Sequence, residues 1–174
     1  MGIQFETDYN METLTAMAKS LRKTVRKKRS RRVHIFAAVV LILGLLTIPA
    51  TTAGGEPLGA SGVVTLLAML VVILVSLFED KLNAWFARKR LLPGTEHAAA
   101  TFEEDGYVSA TGVTESRFSY AQIVAVAETA RYFVFALSSH HTQAYDKRTI
   151  RGGSVEDFRA FIAEKTGKLV EDIK

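Results

Sequence analysis

The sequence contains no cysteine among its 174 residues. This absence excludes a disulfide framework, a thiolate nucleophile and a cysteine-ligated zinc site. The middle of the chain also lacks charge, because residues 33–78 contain no Lys or Arg and a single acid, Glu56. The averages of 48% hydrophobic residues and a formal net charge of +4 therefore combine segments of very different character.

The sequence also lacks the common short motifs of catalytic and nucleotide-binding sites. It contains no GxxxxGK[ST], GxGxxG, GxSxG or HExxH pattern. The adjacent His140 and His141 are expected in a solvated loop, since neighbouring strand residues point to opposite faces and cannot share one metal ion. The carboxylates at 103–105 lie on a predicted turn. We therefore predict that the protein is not an enzyme, with no catalytic residues, no cofactor and no metal site.

Two long apolar segments fill the uncharged middle of the chain. They span 33–53 and 59–78, and a helix as long as the first would measure about 31 Å, close to the hydrocarbon thickness of a bilayer. The Gly- and Pro-rich loop 54–58 between them disfavours continued helix. The pattern predicts a transmembrane hairpin over 33–78, while the alternative for the first segment alone is a cleaved signal sequence.

Basic residues flank this hairpin on both sides. The sequence RKKRSRR (26–32) precedes it and KLNAWFARKR (81–90) follows it, whereas the loop has no Lys or Arg. Because positive residues stay on the cytoplasmic side, we expect a multi-pass protein of the cell membrane with both termini cytoplasmic. Trp85 and Phe86, within the juxtamembrane linker 79–93, are the predicted interfacial anchor.

The N-terminal segment 1–32 includes a predicted basic helix over 12–32. Apolar residues recur along it at spacings of three and four, and Lys and Arg occupy the opposite face. Its charges could bind anionic lipid, its apolar stripe could pack on the cytoplasmic domain, or the charges could only set topology. A nucleic-acid site is not expected, since the basic run has no interleaved aromatics. The candidate lipid or partner contacts here are Arg26, Lys27, Lys28 and Arg29.

The tail, residues 94–174, is predicted to form a small antiparallel β domain closed by one helix. Ser154 is a predicted helix N-cap, Glu156 and Asp157 suit the first turn, and Gly167 is a predicted stop. Two Phe on the apolar face of this helix can cover the open end of a twisted sheet. The predicted strands cover 99–103, 107–111, 115–120, 123–129, 132–137 and 142–146.

One compact basic group lies in this acidic tail, formed by Lys147, Arg148 and Arg151. It is a candidate contact for lipid headgroups or for a partner. The structural alternative is a turn between strand and helix in which these cations pair with Glu156 or Asp157.

The tail resembles the C-terminal domain of the bacterial YcxB-like family of two-span membrane proteins. The resemblance is carried by FEEDGYVSAT (102–111), FSYAQIVAVAETARYFVFAL (118–137), AYDKRTI (144–150) and VEDFRAFI (155–162). Tyr120 and Ile123 fit the aromatic step of that family, and Lys147 and Arg148 fit its basic pair. Asp146 stands where the family usually has Pro. The short opening 3–9, the basic arm and the two apolar segments also suit the family.

The resemblance implies an α+β membrane protein with a pleckstrin-homology-like (PH-like) domain. The expected order is an N-terminal basic helix, a two-helix transmembrane hairpin and a cytoplasmic PH-like domain at 94–174. We expect a non-catalytic interaction module at the face of a bacterial inner membrane, with a protein partner or a second copy of the chain. The alternatives are an accessory subunit of a membrane transport or enzyme assembly, and a scaffold that binds anionic lipid.

Overall fold

The computed structural model describes residues 2–52 and 59–174, the stretch 49–52 by its backbone alone. The chain forms two compact units. Met1–Lys27 and Asn83–Lys174 together make the first, which we call the β unit. Lys28–Leu82 makes the second, the helical unit. The sequence-based division differs, because it placed the N-terminal segment and the tail in separate regions.

The N-terminal strand explains this difference. β1 (Ile3–Asp8) pairs antiparallel with β2 (His97–Phe102) in a register that runs from Ile3 opposite Phe102 to Asp8 opposite His97. Ile3, Phe5 and Thr7 alternate with more exposed residues, which is the period of a strand with one buried face. Residues 3–8 therefore belong to the fold of the tail, although about 90 residues separate β1 from β2.

The β unit contains two four-stranded sheets. The first has the order β1-β2-β3-β4 and is antiparallel throughout. The second has the order β7-β6-β5-β8, with β8 parallel to β5 and the other pairs antiparallel. The remaining strands are β3 (Tyr107–Thr111), β4 (Glu115–Phe118), β5 (Ala125–Glu128), β6 (Tyr132–Ala136), β7 (Thr142–Asp146) and β8 (Val170–Asp172).

β1 also joins the two sheets. Thr149 Oγ1 donates to the carbonyl of Glu6 over 2.7 Å and accepts from the Glu6 N–H over 2.9 Å. Gln4 and Arg151 exchange backbone hydrogen bonds of 2.9 and 3.0 Å. The core between the sheets is rich in aromatic side chains, including Phe5, Phe102 and Phe135.

Helix α5 (Val155–Thr166) closes the β unit as predicted. Ser154 and Asp157 form a reciprocal capping box at its start, and Gly167 adopts the left-handed conformation at its end. Phe158 and Ile162 are fully buried in the core between the sheets. The helix therefore covers the apolar end of the two sheets.

Helix α1 (Met11–Lys23) packs on β6 and β7 of the same unit. Asn10 caps its N-terminus, and Leu14 and Leu21 are buried. Met17 contacts the cluster formed by Ala127, Tyr132, Val134, Ala144 and Ile173. Of the three interpretations of the basic arm, the structure shows packing for the stripe of residues 14–21.

The helical unit consists mainly of α2 (Lys27–Thr52) and α3 (Ala60–Leu77), while α4 (Glu79–Lys89) leads back into the β unit. Both long helices are apolar and long enough to cross a membrane. In the apolar stretch of each helix, the buried share is 0% for α2 and 6% for α3. They approach closely at Gly44, where an added Cβ would lie 2.7 Å from Met69 Sδ. The predicted loop 54–58 lies outside the described residues.

Candidate functional site

The basic group of the tail is neutralised by carboxylates in the structure. Lys147 Nζ donates to Glu128 Oε1 over 2.9 Å, Arg148 pairs with Asp146 at 2.9 Å, and Arg151 pairs with Glu6 at 3.4 Å. These partners differ from the Glu156 and Asp157 of the structural alternative. The three cations therefore lie on one short stretch of chain, but each has its own acidic partner.

Glu128 is the centre of a largely buried ion cluster. Its side chain is 12% exposed and accepts from Lys147 and from Arg159, whose guanidinium donates to both carboxylate oxygens over 2.7 and 2.8 Å. The hydrogen bonds from Arg159 hold the pKa of Glu128 below its ordinary value, and Lys147 adds to this effect. Lys147 is itself only 14% exposed, so this cation has little surface to offer a headgroup.

Asp146 organises the turn that follows β7. Its carboxylate accepts from Arg131 and Arg148, and from the backbone N–H of Arg148 at the start of the 3-10 turn Lys147–Thr149. Its own backbone N–H donates to Thr7 Oγ1 over 3.0 Å, which links β7 to β1. Proline has no N–H and could not make this bond, so Asp at this position is consistent with the closure of the fold by β1.

The hairpin that carries the FEEDG sequence is held by Tyr120. The Tyr120 hydroxyl donates to the carbonyls of Glu103 and Gly106 over 2.6 and 3.0 Å. An added Cβ at Gly106 would lie 2.4 Å from the carbonyl oxygen of Phe118, so the close approach of the two segments requires glycine. The FEEDG hairpin and the segment that carries Tyr120, which the sequence showed only as two motifs, are therefore in direct contact.

The juxtamembrane candidates differ in their surroundings. Lys27, Lys28 and Arg29 are exposed at the start of α2. Arg26 instead donates from Nε to the carbonyl of Ser139 over 2.5 Å, and so contacts the loop between β6 and β7. Three of the four cations therefore present charge at the surface, and one helps to hold the β unit together.

Trp85 and Phe86 lie on α4 with 44% and 51% of their surfaces exposed. Their rings contact edge to face at 5.0 Å, and Lys89 Nζ lies 3.7 Å from the centre of the Trp85 ring. An exposed aromatic pair with a cation beside it has the amphipathic character of an interfacial anchor.

A half-open cavity of about 400 Å³ lies in the β unit between α1, α4 and the strands β3, β4 and β7. His140 and His141 lie in the exposed loop before β7, as expected, and both line this cavity. Sequence reasoning missed the cavity because its walls come from segments far apart along the chain, between Tyr9 and Gln143. Within the described residues, no three His, Asp or Glu side chains gather in a way that could hold a metal ion.

The comparisons with known proteins agree with the resemblance noted in the sequence. The family model of the YcxB-like protein matches residues 102–162, which is about a third of the chain. This segment runs from the FEEDG hairpin to the middle of α5, so the resemblance is confirmed over the residues that carry it. No curated protein and no solved structure matches the chain.

Proposed function

We propose that this chain, YcxB-like over residues 102–162, is a membrane-anchored, non-catalytic interaction module. The helical unit serves as a transmembrane hairpin in a bacterial inner membrane. The β unit is a PH-like domain held at the cytoplasmic face, where it binds a protein partner or a second copy of the chain.

The observation that carries this proposal is the split of the β unit around the hairpin. β1 lies before the two apolar helices and its partner β2 lies after them, and six residue pairs join the two strands. A folded unit cannot lie on both sides of a bilayer, so the chain must enter and leave the membrane on the same face. Two crossings satisfy this requirement.

The distribution of charge supports the cytoplasmic face for the β unit. Nine Lys and Arg precede residue 33, and residues 81–90 carry four more, whereas residues 33–78 have none. Because positive residues tend to stay in the cytoplasm, this distribution favours a cytoplasmic position for both flanks and for the β unit.

The strand order supports a PH-like plan. A four-stranded antiparallel meander, β1 to β4, is followed by a three-stranded meander, β5 to β7, and then by α5 across one end. This order is the one expected of a PH-like domain that has the hairpin inserted between its first two strands and the short β8 added after its helix.

An interaction role is supported by the edge of the first sheet. β4 is the end strand of that sheet, and Glu115, Ser116 and Arg117 along it are exposed. Val113 beside it is 58% exposed. An end strand with an exposed edge can accept an extended segment of a partner by main-chain hydrogen bonding.

Single-cysteine labelling tests the proposed arrangement cleanly, because the chain has no native cysteine. Glu56→Cys places a thiol in the sequence between the two apolar helices, and Glu164→Cys places one on the exposed face of α5. In intact spheroplasts, a membrane-impermeant maleimide is expected to label the first and to spare the second until the cells are lysed. Equal labelling of both in intact cells, or the reverse pattern, would refute the proposal.

Co-purification tests the interaction role separately. After chemical crosslinking in native membranes and extraction in mild detergent, we expect one defined protein or a second copy of the chain at fixed stoichiometry. Loss of that species in Arg117→Glu/Val113→Asp, with unchanged membrane content, would locate the contact at β4. A monomer without partners in native mass spectrometry would count against an interaction role.

A scaffold for anionic lipid is the second candidate, favoured by the exposed Lys27, Lys28 and Arg29 beside the apolar segment of α2. Each such cation near an anionic surface contributes about 1 kcal/mol. Reconstitution into nanodiscs with and without phosphatidylglycerol, followed by native mass spectrometry of retained lipid, tests it. Retention that survives Lys27→Gln/Lys28→Gln/Arg29→Gln would exclude these residues as the lipid contact.

A further inference from the structure

One face of the first sheet lies outside the core. In β2, Ala98 and Phe102 are buried while Ala99 is exposed, so Ala99 lies on the face that points away from the second sheet. Helix α1 packs on β6 and β7, and α5 inserts Phe158 and Ile162 into the core between the sheets, so neither helix covers this face. We call it the outer face of the first sheet.

Two rows of side chains cross the outer face at right angles to the strands. The register of the sheet places one residue of each strand in each row, in the order β1 to β4. The first row consists of Gln4, Thr101, Val108 and Arg117. The second row, two residues away along each strand, consists of Glu6, Ala99, Ala110 and Glu115. These side chains are all exposed or half-buried, so both rows are accessible.

The two rows are complementary in size. The β-branched Thr101 and Val108 form the middle of the first row, whereas Ala99 and Ala110 form the middle of the second. A second copy of the chain can lie on this face with a two-fold axis parallel to the rows and between them, so that each row faces the other row of the second copy. The larger side chains of each copy then lie over the alanines of the other, as in two sheets that interdigitate.

The ends of the rows at β4 are complementary in charge. Glu115 and Arg117 are both exposed, and the same two-fold axis places Arg117 of each copy over Glu115 of the other. An axis parallel to the strands would instead bring Glu6 over Glu115, so the charges favour the first arrangement. Arg117 also pairs with Glu103 at 3.4 Å, but both side chains are more than half exposed, and such a pair contributes little to stability.

We propose that two copies of this chain form a dimer through the outer face of the first sheet, with the two-fold axis across the strands. Facing sheets pack about 10 Å apart, a gap that an Arg and a Glu side chain bridge from opposite sides. This dimer rests on the interaction role proposed above and makes the partner a second copy of the chain. A chain that is monomeric by itself but binds a different protein would overturn the dimer and leave the interaction role intact.

Charge reversal on β4 tests the dimer. The purified full chain in mild detergent is measured by size-exclusion chromatography with light scattering over a range of concentrations, and we expect a concentration-dependent dimer. Glu115→Arg and Arg117→Glu each place like charges over one another at two symmetric positions, so each should raise the dissociation constant about tenfold. A parent chain that stays monomeric at all concentrations, or a dimer that neither reversal weakens, would overturn the proposal.

Exchanging the two charges tests the pairing itself. Glu115→Arg/Arg117→Glu should restore the dissociation constant of the parent. An equimolar mixture of the two single variants should form a mixed dimer in native mass spectrometry, because each Arg then lies over a Glu of the other chain. Glu164→Arg, on the exposed face of α5, is the matched control and should dimerise like the parent. Weakening in the single variants without recovery in the combined one would contradict the pairing.

Ala99→Arg separates packing of the outer face from pairing of β4 edges. Ala99 is exposed, lies two strands from the β4 edge and stands opposite Glu6, so an Arg at this position is compatible with the fold. Its bulk holds the two faces apart, and the dissociation constant should rise by about tenfold or more. A dimer that survives Ala99→Arg, in a variant folded by circular dichroism, would assign the contact to the strand edges and overturn the outer face.

Discussion

Asp146 links several segments at the start of the turn after β7. Its carboxylate, 7% exposed, accepts from Arg131 and Arg148, and its N–H donates to Thr7. Thr7 and Arg131 could not be predicted as partners from the sequence, because they lie 139 and 15 residues from Asp146 along the chain. The sequence shows that Asp146 stands where the family usually has Pro. The physical reason, the bond from the Asp146 N–H to Thr7, requires knowing that β1 lies beside β7.

Replacing Asp146 with the family's usual residue should therefore destabilise this protein. Asp146→Pro removes the N–H bonded to Thr7 and the carboxylate that accepts from Arg131 and Arg148, although Arg131 keeps its ion pair with Glu12. We expect a cost of about 3 kcal/mol in the free energy of unfolding. Denaturant unfolding of the full chain in detergent measures it. Asp146→Asn, which keeps the N–H, should lose less. Equal stability of Asp146→Pro and the parent would show that the Thr7 link contributes nothing.

Glu128 makes the stability of the β unit depend on pH. Its pKa is lowered from an ordinary 4.5, chiefly by hydrogen bonds from Arg159 and then by Lys147. A group that ionises more readily in the folded state stabilises it fully above the unfolded pKa, and this stability is lost as the pH falls through the folded value. We expect the free energy of unfolding to fall as the pH drops below about 4.5, and to fall less steeply in Glu128→Gln. The same slope in both proteins would rule out this origin.

At the scale of elements, α4 carries the proposed interfacial anchor. Trp85 is the only tryptophan in the chain, and it is 44% exposed on this helix. As an interfacial anchor, Trp85 should be quenched by phospholipids that carry a nitroxide near the headgroup. Moving the fluorophore with Trp85→Phe/Val113→Trp, to a turn of the β unit, should abolish the quenching. Equal quenching from both positions would argue against α4 as the anchor.

The strands show which elements the sequence could predict. The predictions for 107–111 and 142–146 agree with β3 and β7 to the residue, and the helix with its Ser154 cap and Gly167 stop is confirmed. These elements depend on local alternation, turns and caps. β8 was missed because three residues are too few to show a period, and β1 because its partner lies beyond the two apolar helices.

For the whole molecule, the central result is a β unit divided by the helical unit. A fragment that began at residue 94 would lack β1, the bond from Asp146 to Thr7 and the helix α1, so studies of the tail should use the full chain. The sequence predicted the apolar pair of helices from composition. It could not predict that the strand before them completes the sheet after them, because strand pairing is a property of the folded chain.

Disulfide crosslinking across β1 and β2 in native membranes tests this central claim most directly. Glu6 lies opposite Ala99, and Glu6→Cys/Ala99→Cys places two thiols at the spacing of paired residues in a chain with no other cysteine. With an oxidant, we expect a crosslink between residues 6 and 99 that mass spectrometry detects within one chain. Glu6→Cys/Glu115→Cys, three strands apart, should not form one. Failure of the 6–99 pair to crosslink, or equal crosslinking of both pairs, would contradict a β unit completed by its N-terminal strand.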